Sequence, residues 1–198
     1  MVKDGIPFVA VPLLVAAALA FLGYWIAAVL FLALAAFMVF FFRNPKRTIP
    51  DGPGLVVSAA DGRVTRIEET EAGTLVSVFL SPLDVHVNRS PIAGTVTGIR
   101  KIKGRKRPAT SNTASSSNER NELVIEGEDI TVVCTQIVGI LARRIVCWPK
   151  EGDRLTRGEL FGLIRFGSRT DLLLPNRVSI CVDVGDRVKG GETIIAKY

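Results

Sequence analysis

The sequence has few of the residues on which catalytic and metal sites usually depend. Its 198 residues include one histidine, His86, and three cysteines, Cys134, Cys147 and Cys181. The cysteines are odd in number and lack metal-ligand spacing, so we predict buried thiols in a reducing compartment, with no disulfide framework and no metal site. A lone histidine is more often structural than catalytic. As the only side chain that titrates near neutral pH without perturbation, however, His86 is the simplest candidate for proton transfer.

Two further absences exclude classes of binding protein. No basic segment is interleaved with aromatic residues, so the net charge of +6 and the pI near 9.5 favour attraction to an anionic membrane surface over nucleic acid binding. The only methionines are Met1 and Met38. The chain therefore lacks the modifiable lysine flanked by methionines that biotinyl carriers use.

Charge is absent from residues 5–42, where nearly every side chain is apolar. One straight helix over residues 8–42 would extend roughly 52 Å, well beyond a hydrocarbon core of about 30 Å. Gly23, beside Tyr24 and Trp25, divides the run into two similar pieces. We therefore predict a helical hairpin over residues 1–42 that dips into or crosses the bilayer.

The flanks of this hairpin predict its orientation. Lys3 precedes the run, and Arg43, Lys46 and Arg47 follow it, so a hairpin keeps the positive charge on the cytoplasmic face of the cell membrane. A cleaved signal peptide is the alternative, but the run is too long and has no clean small-residue cleavage site.

Helical periodicity of useful length is absent from the remainder of the chain. Prolines and glycines in residues 43–54 predict a linker. Short β-branched runs separated by turns then predict a mainly β, barrel-sandwich-like catalytic domain over residues 55–198, with one helical turn at 138–142. The predicted strands cover residues 55–58, 62–67, 74–79, 94–102, 123–126, 130–137, 144–147, 160–164, 177–182 and 193–196.

An internal repeat supports the β interpretation. Gly152-Asp153-Arg154 with Gly158-Glu159 recurs as Gly185-Asp186-Arg187 with Gly191-Glu192. Each copy predicts a tight turn in which the glycines take positive φ and the aspartate caps the turn. Such turns are typical of barrel-sandwich folds, including biotinyl and lipoyl carriers, and they shape a scaffold without indicating chemistry.

A basic and polar segment interrupts the predicted strands. Residues 101–107 are dense in lysine and arginine, and residues 108–118 are rich in serine, threonine and asparagine. This composition predicts a solvent loop. The loop is either a flexible insertion or a lid that finds anionic headgroups.

The dipeptide Gly167-Ser168 places a hydroxyl beside the peptide bond that precedes it. Attack of the Ser168 hydroxyl on the Gly167 carbonyl would convert the amide to an ester, and elimination followed by hydrolysis would leave a pyruvoyl group. Glycine suits the site because it accepts unusual backbone conformations, and serine needs a neighbouring base to react. Gly-Ser is also a common turn dipeptide.

Two other segments carry candidate residues. His86 lies in a proline-flanked segment, residues 81–91, in which His86 and Asn88 share one face and two valines the other. Asp61 precedes Gly62, so it either forms an Asp-Gly turn or orients the imidazole, as the acid of a Ser/His/Asp set does.

Taken together, these motifs resemble the phosphatidylserine decarboxylase family in its short membrane-associated prokaryotic form. The resemblance covers nearly the whole chain and follows the order of an apolar anchor, Phe42-Arg43-Asn44-Pro45, Ala60-Asp61-Gly62, residues 81–89, Asn118-Glu119-Arg120-Asn121 and Phe166-Gly167-Ser168.

The resemblance implies a proenzyme that cuts itself between Gly167 and Ser168 into a β chain of residues 1–167 and an α chain of residues 168–198. Ser168 becomes the covalent pyruvoyl cofactor, whose carbonyl forms a Schiff base with the amine of phosphatidylserine; carbon dioxide leaves, and phosphatidylethanolamine is released. The implied partners are phosphatidylserine, membrane lipids and the two chains of one proenzyme, with a homodimer left open. The implied catalytic residues are Ser168, His86 and Asp61.

Two departures from long-form members concern the site. Those members carry a second histidine three residues after the one that matches His86, and Arg89 stands there in this chain. A triad built from that second histidine cannot be carried over, so whether His86 serves both self-cleavage and decarboxylation stays open. Arg169 follows the nucleophile and adds a cation expected near a substrate carboxylate or phosphate. Arg169, Arg89 and Asn88 are therefore the predicted substrate-binding residues.

Two other functions remain open from the residues alone. One is a non-catalytic, membrane-anchored barrel-sandwich binding module, which the repeated turns suggest. The other is a sortase-like or signal-peptidase-like hydrolase that uses Ser168 and His86 and stays uncut.

Overall fold

The computed structural model describes residues 1–105, 107–108, 114–140, 144–165 and 168–198, and it leaves out the side chains of residues 114 and 116. Phe166 and Gly167, and residues 141–142 of the predicted helical turn, lie outside the described residues. The chain divides into two units, Met1–Pro45 and Lys46–Tyr198.

The N-terminal unit consists of two apolar helices. A short 3-10 turn, Lys3–Gly5, leads into α1, Ile6–Phe21, and α2 follows at Trp25–Phe41. The two helices predicted from the interruption at Gly23 are present, and Gly23 takes a φ of 82° between them. By length and composition, the segment Lys3–Phe21 could cross a membrane, whereas Trp25–Phe41 is a shorter apolar helix.

The second unit is mainly β, as predicted. Its elements are β1 Leu55–Val57, β2 Gly62–Thr70, β3 Gly73–Leu80, β4 Val87–Arg89, β5 Gly94–Ile102, α3 Ala114–Ser117, β6 Arg120–Glu126, β7 Thr131–Val138, β8 Arg144–Cys147, β9 Arg154–Leu155, β10 Leu160–Arg165, β11 Ser168–Leu174, β12 Ser179–Ile180, β13 Arg187–Val188 and β14 Ile194–Lys197. Among the described residues, the largest sheet has eight strands in the order β13-β2-β3-β11-β7-β6-β5-β9 and curls into a half-barrel. Two three-stranded sheets, β1-β14-β12 and β4-β10-β8, accompany it.

The core lies on the inner face of the eight-stranded sheet. Every second residue of a strand points to the same face, so in β6 the alternation buries Asn121, Leu123 and Ile125. Leu123 and Ile125 belong to the main apolar cluster. Asn121 continues the same row of positions with a polar side chain, which marks the end of the sheet where the apolar core stops.

Strand β11 is the main element that the sequence interpretation missed. Its first four residues, Ser168 to Asp171, are polar or charged, yet all four are buried. β11 lies centrally between β3 and β7. The strand predicted at 177–182 is reduced to Ser179–Ile180, and the helical turn predicted from residue 138 is wrong there because Val138 ends β7.

The repeated turns form as predicted. Gly152 and Gly185 have φ values of 93° and 105°, which glycine adopts without steric cost. Asp153 accepts a hydrogen bond from the Lys150 amide at 2.8 Å, and Asp186 accepts one from the Asp183 amide at 2.9 Å. These two turns lead into β9 and β13, the two edge strands of the large sheet.

Residues 46–54 of the predicted linker are bound to the β unit. Arg157 donates to the Pro50 carbonyl at 2.6 Å, and the Thr48 amide donates to Glu192 at 3.0 Å. The Thr48 amide is the main cause that lowers the pKa of Glu192, and the charge of Arg47 acts in the same direction. This segment is therefore held in a defined path rather than acting as a free tether.

Candidate functional site

A row of polar residues crosses four strands next to Ser168. The strand registers pair Lys101 with Asn121, Asn121 with Gln136, and Gln136 with Thr170, from β5 through β6 and β7 to β11. Residues opposite one another in neighbouring antiparallel strands present their side chains on the same face. We call Lys101, Asn121, Gln136 and Thr170 the polar row; it lies on the same inner face as the core.

Hydrogen bonds join three members of the polar row to Asn88. Asn121 Nδ2 donates to Gln136 Oε1 at 3.1 Å, and Gln136 Nε2 donates to Asn88 Oδ1 at 2.8 Å. Asn88 Nδ2 then donates to Thr170 Oγ1 at 3.3 Å. We call this chain of hydrogen bonds the amide relay; all four side chains are buried.

Main-chain carbonyls fix the direction of the amide relay. Gln136 Nε2 also donates to the Val146 carbonyl, and Asn88 Nδ2 to the Ala59 carbonyl. Because a carbonyl oxygen only accepts, each amide nitrogen must face its carbonyl. Asn121 therefore uses its nitrogen toward Gln136, and its Oδ1 has no hydrogen-bond partner within the described ranges.

Ser168 is the first residue of β11 and is fully buried. Its backbone is paired with Leu80 on one side and Val138 on the other, and it lies on the same face of β11 as Thr170. Its Oγ has no hydrogen-bond partner in the part of the chain that the structure describes. A buried hydroxyl without a partner costs roughly 1–3 kcal/mol, so such a group calls for an explanation.

His86 lies beside β10, the strand that precedes β11 in the sequence. Its carbonyl accepts from the Ile164 amide at 3.2 Å, and Asn88 is paired with Gly162 of the same strand β10. Strand β10 thus runs past Asn88 and then past His86, and the chain continues from there to Ser168. His86 is 2% exposed, and its Nδ1 lies 2.9 Å from the Asp84 carbonyl oxygen. Since that oxygen only accepts, Nδ1 carries the proton, and Nε2 of the neutral ring is an acceptor.

Asp61 belongs to a charged cluster at the other end of β4. Its carboxylate accepts from Arg47 Nη2 at 2.7 and 2.8 Å and from the Gly190 amide at 2.8 Å. These are its hydrogen bonds among the described residues. Arg89 lies near the same group: burial and then the charge of Arg47 lower the pKa of Arg89, while Asp61 and Glu192 oppose this shift. The structure thus brings Asp61 to Arg47 and Arg89, while a main-chain carbonyl orients His86; the catalytic role of Asp61 stays a prediction.

Arg169 lies on the opposite face of β11 from Ser168. Its Nε is 2.8 Å from Asp171 Oδ1, and its Nη2 donates to Asp171 Oδ2 at 3.0 Å. Both side chains are 3% exposed. Ser115 of α3 donates to the same carboxylate at 3.0 Å. Arg169 was predicted to bind the substrate. In the structure it is paired with the buried Asp171 carboxylate, which Ser115 of α3 also contacts.

Comparisons with known proteins address the resemblance directly. The family model described as phosphatidylserine decarboxylase matches residues 34–196. The chain belongs to the phosphatidylserine decarboxylase family.

Similar relatives span almost the whole chain. The phosphatidylserine decarboxylase proenzyme of Nitratidesulfovibrio vulgaris is 45% identical over 203 residues, covering 98% of this chain and 93% of the relative. That of Symbiobacterium thermophilum is also 45% identical, over 98% of this chain and 94% of the relative. That of Nocardia farcinica is 46% identical, over 97% and 85%. The prediction of an enzyme of this family is confirmed.

Sequence reasoning missed several residues of this family member's site. Gln136 and Thr170 were assigned no role, and Asn121 appeared only within a motif. One signal was available: each of Asn121 and Gln136 is a polar residue at a position where strand alternation predicts a buried apolar one. The linking contact between Asn88 and Thr170 joins residues far apart in the sequence, and no local pattern predicts it.

The thiols near the site are not activated. Burial raises the pKa of the Cys134 thiol, with smaller contributions from Cys147 and Asp171. Burial also raises the pKa of Cys147, against the opposing effects of Asn121 and Lys101. A nucleophilic cysteine needs a lowered pKa, so these two are structural. Within the described ranges, no group of three or more His, Cys, Asp or Glu is arranged to hold a metal ion.

We expect Arg169→Met to destabilise the protein by about 3–5 kcal/mol, because it leaves the Asp171 carboxylate buried without its charge partner. The double variant Arg169→Met/Asp171→Leu should recover most of that loss, since an apolar pair of similar volume replaces both charges. Urea unfolding of the single and double variants measures the coupling. Equal destabilisation of the two variants would show that the ion pair does not govern the stability of β11.

Proposed function

We propose that this chain decarboxylates phosphatidylserine to phosphatidylethanolamine after cutting itself between Gly167 and Ser168. The observation that carries the proposal is the fully buried Ser168 hydroxyl, which has no hydrogen-bond partner among the described residues and lies at the start of β11. His86 supports it, because its backbone lies beside Ile164 of β10, four residues before Ser168, and Nε2 of the neutral form of the ring is an acceptor. A hydroxyl shielded from water beside a base is what attack on the preceding carbonyl requires.

Self-cleavage proceeds by acyl transfer, then elimination, then hydrolysis. Ser168 Oγ gives its proton to His86 Nε2 and bonds to the Gly167 carbonyl carbon, while the Gly167–Ser168 amide bond breaks and the nitrogen takes up a proton. Loss of the Ser168 α-proton then breaks the Cβ–Oγ bond of Ser168, so that Oγ leaves with Gly167 as its free carboxylate and residue 168 becomes dehydroalanine. Water replaces the nitrogen of the resulting dehydroalanine, and ammonia leaves.

The residues present fit a pyruvoyl group at position 168. Because Ser168 Oγ makes no hydrogen bond to a described residue, its conversion removes an unsatisfied hydroxyl and breaks no contact. The group supplies a carbonyl for Schiff-base chemistry with the substrate amine and accepts the electrons of the breaking Cα–carboxylate bond. In this proposal, His86 returns a proton to the substrate Cα. Asn88 holds Thr170 and thereby the register of β11 beneath the reacting atoms.

The two chains of the cut protein would stay together. Residues 168–198 include β11, which is hydrogen-bonded to β3 and β7 of the larger chain, and β14, which is paired with β1. These ladders do not depend on the Gly167–Ser168 bond. Cleavage therefore leaves the small chain bound to the larger one.

The substrate is a membrane lipid, and the N-terminal unit provides the means to reach it. The helices α1 and α2 are apolar, and most of their residues are exposed. We assign them to the membrane, with the β unit on the cytoplasmic side where the basic residues after α2 lie.

Intact mass spectrometry of the purified full-length protein tests the proposal. We expect two species, one of residues 1–167 and one of residues 168–198 that lacks its terminal amino group and gains the mass of a hydrazone on treatment with phenylhydrazine. A single uncut chain with an unmodified serine that still decarboxylates phosphatidylserine would overturn the proposal.

A further inference from the structure

A cavity of about 200 Å³ opens at the Lys101–Asn121 end of the polar row. Its lining combines two isoleucines with three cationic side chains and one carboxylate, Glu119, so it is an apolar slot with a basic rim. The other residues that line it are Lys101, Ile102, Lys103, Arg120, Asn121 and Ile145. The self-cleavage step described above uses none of them.

The two lysines carry charge that the protein leaves available. Arg120 is engaged, since its Nε lies 3.1 Å from Glu122 Oε1. Lys101 and Lys103 are exposed, and no hydrogen bond or ion pair engages them among the described residues. Lys101 lies in β5 and Lys103 directly follows the end of that strand, and both residues line the cavity. Their ammonium groups suit the non-bridging oxygens of one phosphate group.

Asn121 supplies an independent indication of a ligand. Its side chain is 1% exposed, and its Oδ1 has no hydrogen-bond partner within the described part of the chain. The amide relay fixes this atom as an acceptor, because Nδ2 is committed to Gln136. Asn121 is one of the residues that line the cavity, and a buried acceptor without a donor calls for an N–H or O–H partner.

We propose that this cavity is a docking subsite for aminophospholipid headgroups, with the lipid phosphate on Lys101 and Lys103 and the headgroup ammonium on Asn121 Oδ1. An aminophospholipid, which joins an anionic phosphate and an ammonium donor to an apolar diacylglycerol end, matches all three features of the lining. The inference rests on the proposed function, since it makes the cavity the entrance to Ser168. Asn121 lies two strands from β11, or about 10 Å at the usual strand spacing, and the amide relay connects the two places.

Kinetics of the full-length protein in uncharged detergent, with a short-chain phosphatidylserine as substrate, test the subsite. We expect K101Q/K103Q to cut itself fully, to raise KM at least about tenfold, and to keep kcat within about twofold, because only binding of the phosphate is lost. K101R/K103R should restore KM. The matched control K150Q/K197Q removes the same charge from two exposed lysines elsewhere and should leave KM unchanged. A rise in KM shared by the control, or none in K101Q/K103Q, would overturn the proposal.

Calorimetric titration of the uncut Ser168→Ala form separates this inference from the proposed function, since it needs no turnover. We expect short-chain phosphatidylserine to bind more tightly than short-chain phosphatidylglycerol, and both more tightly than inorganic phosphate, with K101Q/K103Q weakening the first at least about tenfold. Equal binding of phosphate and lipid would reduce the cavity to a simple anion site and overturn the headgroup assignment. If wild-type protein neither cuts itself nor releases carbon dioxide, the proposed function fails. This titration still tests whether the cavity binds the lipid headgroup.

Discussion

Ser168→Ala should yield a single uncut chain whose decarboxylase activity is lower than wild type by at least about 10⁴-fold, the scale seen when a catalytic nucleophile is removed. The reason is that the variant lacks the hydroxyl from which the electrophile is made, so cleavage and activity are lost together. The fold should persist, since Ser168 Oγ makes no hydrogen bond to a described residue. Removing this hydroxyl breaks no hydrogen bond within the part of the chain that the structure describes.

Electrophoresis, intact mass and a carbon dioxide release assay measure this result on the same sample. Ser90→Ala is the matched control, because Ser90 is also a fully buried serine of the β unit. Its hydroxyl donates to the Ile92 carbonyl at 2.7 Å, so we expect a loss of about 1 kcal/mol in stability with cleavage and activity retained. An uncut Ser168→Ala protein that remained active would remove the pyruvoyl group from the mechanism.

His86→Gln should slow self-cleavage, decarboxylation or both by a factor on the order of 100 or more, as expected for the loss of a general acid or base. Glutamine approximates the size of the imidazole but offers no nitrogen that can both take and return a proton. The buried position of His86, 2% exposed, limits replacement of its function by bulk water. No other histidine is present in the sequence.

The two steps are measured separately. A time course of freshly translated chain gives the cleavage rate, and carbon dioxide release per mole of the small chain gives the rate of decarboxylation. Asp84→Asn is the control, since it keeps the main-chain carbonyl that accepts from His86 Nδ1 and should leave both rates near wild type. Wild-type rates in His86→Gln would exclude His86 from the chemistry.

Strand alternation predicted much of the β unit. The strand predicted at 94–102 is observed as β5, Gly94–Ile102, because its apolar and β-branched residues recur with the period of a strand. Strand β11 was missed because its first four residues are buried although they are polar or charged. Arg169 and Asp171 neutralise each other inside the protein, and a pattern-based prediction assigns such residues to the surface.

The residues of the candidate site were also predicted only in part. Ser168, His86 and Asp61 were found because each lies in a short local motif. The partners of Asp61 were not predicted, because Arg47 and Gly190 lie near opposite ends of the sequence of the β unit. The amide relay could not be predicted from the sequence either, because Asn88, Gln136 and Thr170 meet only through the pairing of separate strands.

The sequence by itself determined the apolar hairpin, the mainly β character of the remainder, and the ordered motifs that place the chain in the phosphatidylserine decarboxylase family. Each of these depends on spacing between near neighbours along the chain. Only the tertiary structure decided that the Ser168 hydroxyl is buried, that Arg169 is paired with Asp171, and that Lys101 and Asn121 share a cavity at the end of a polar row. Those facts depend on the register between strands distant in sequence, and that register is set by packing of the whole sheet.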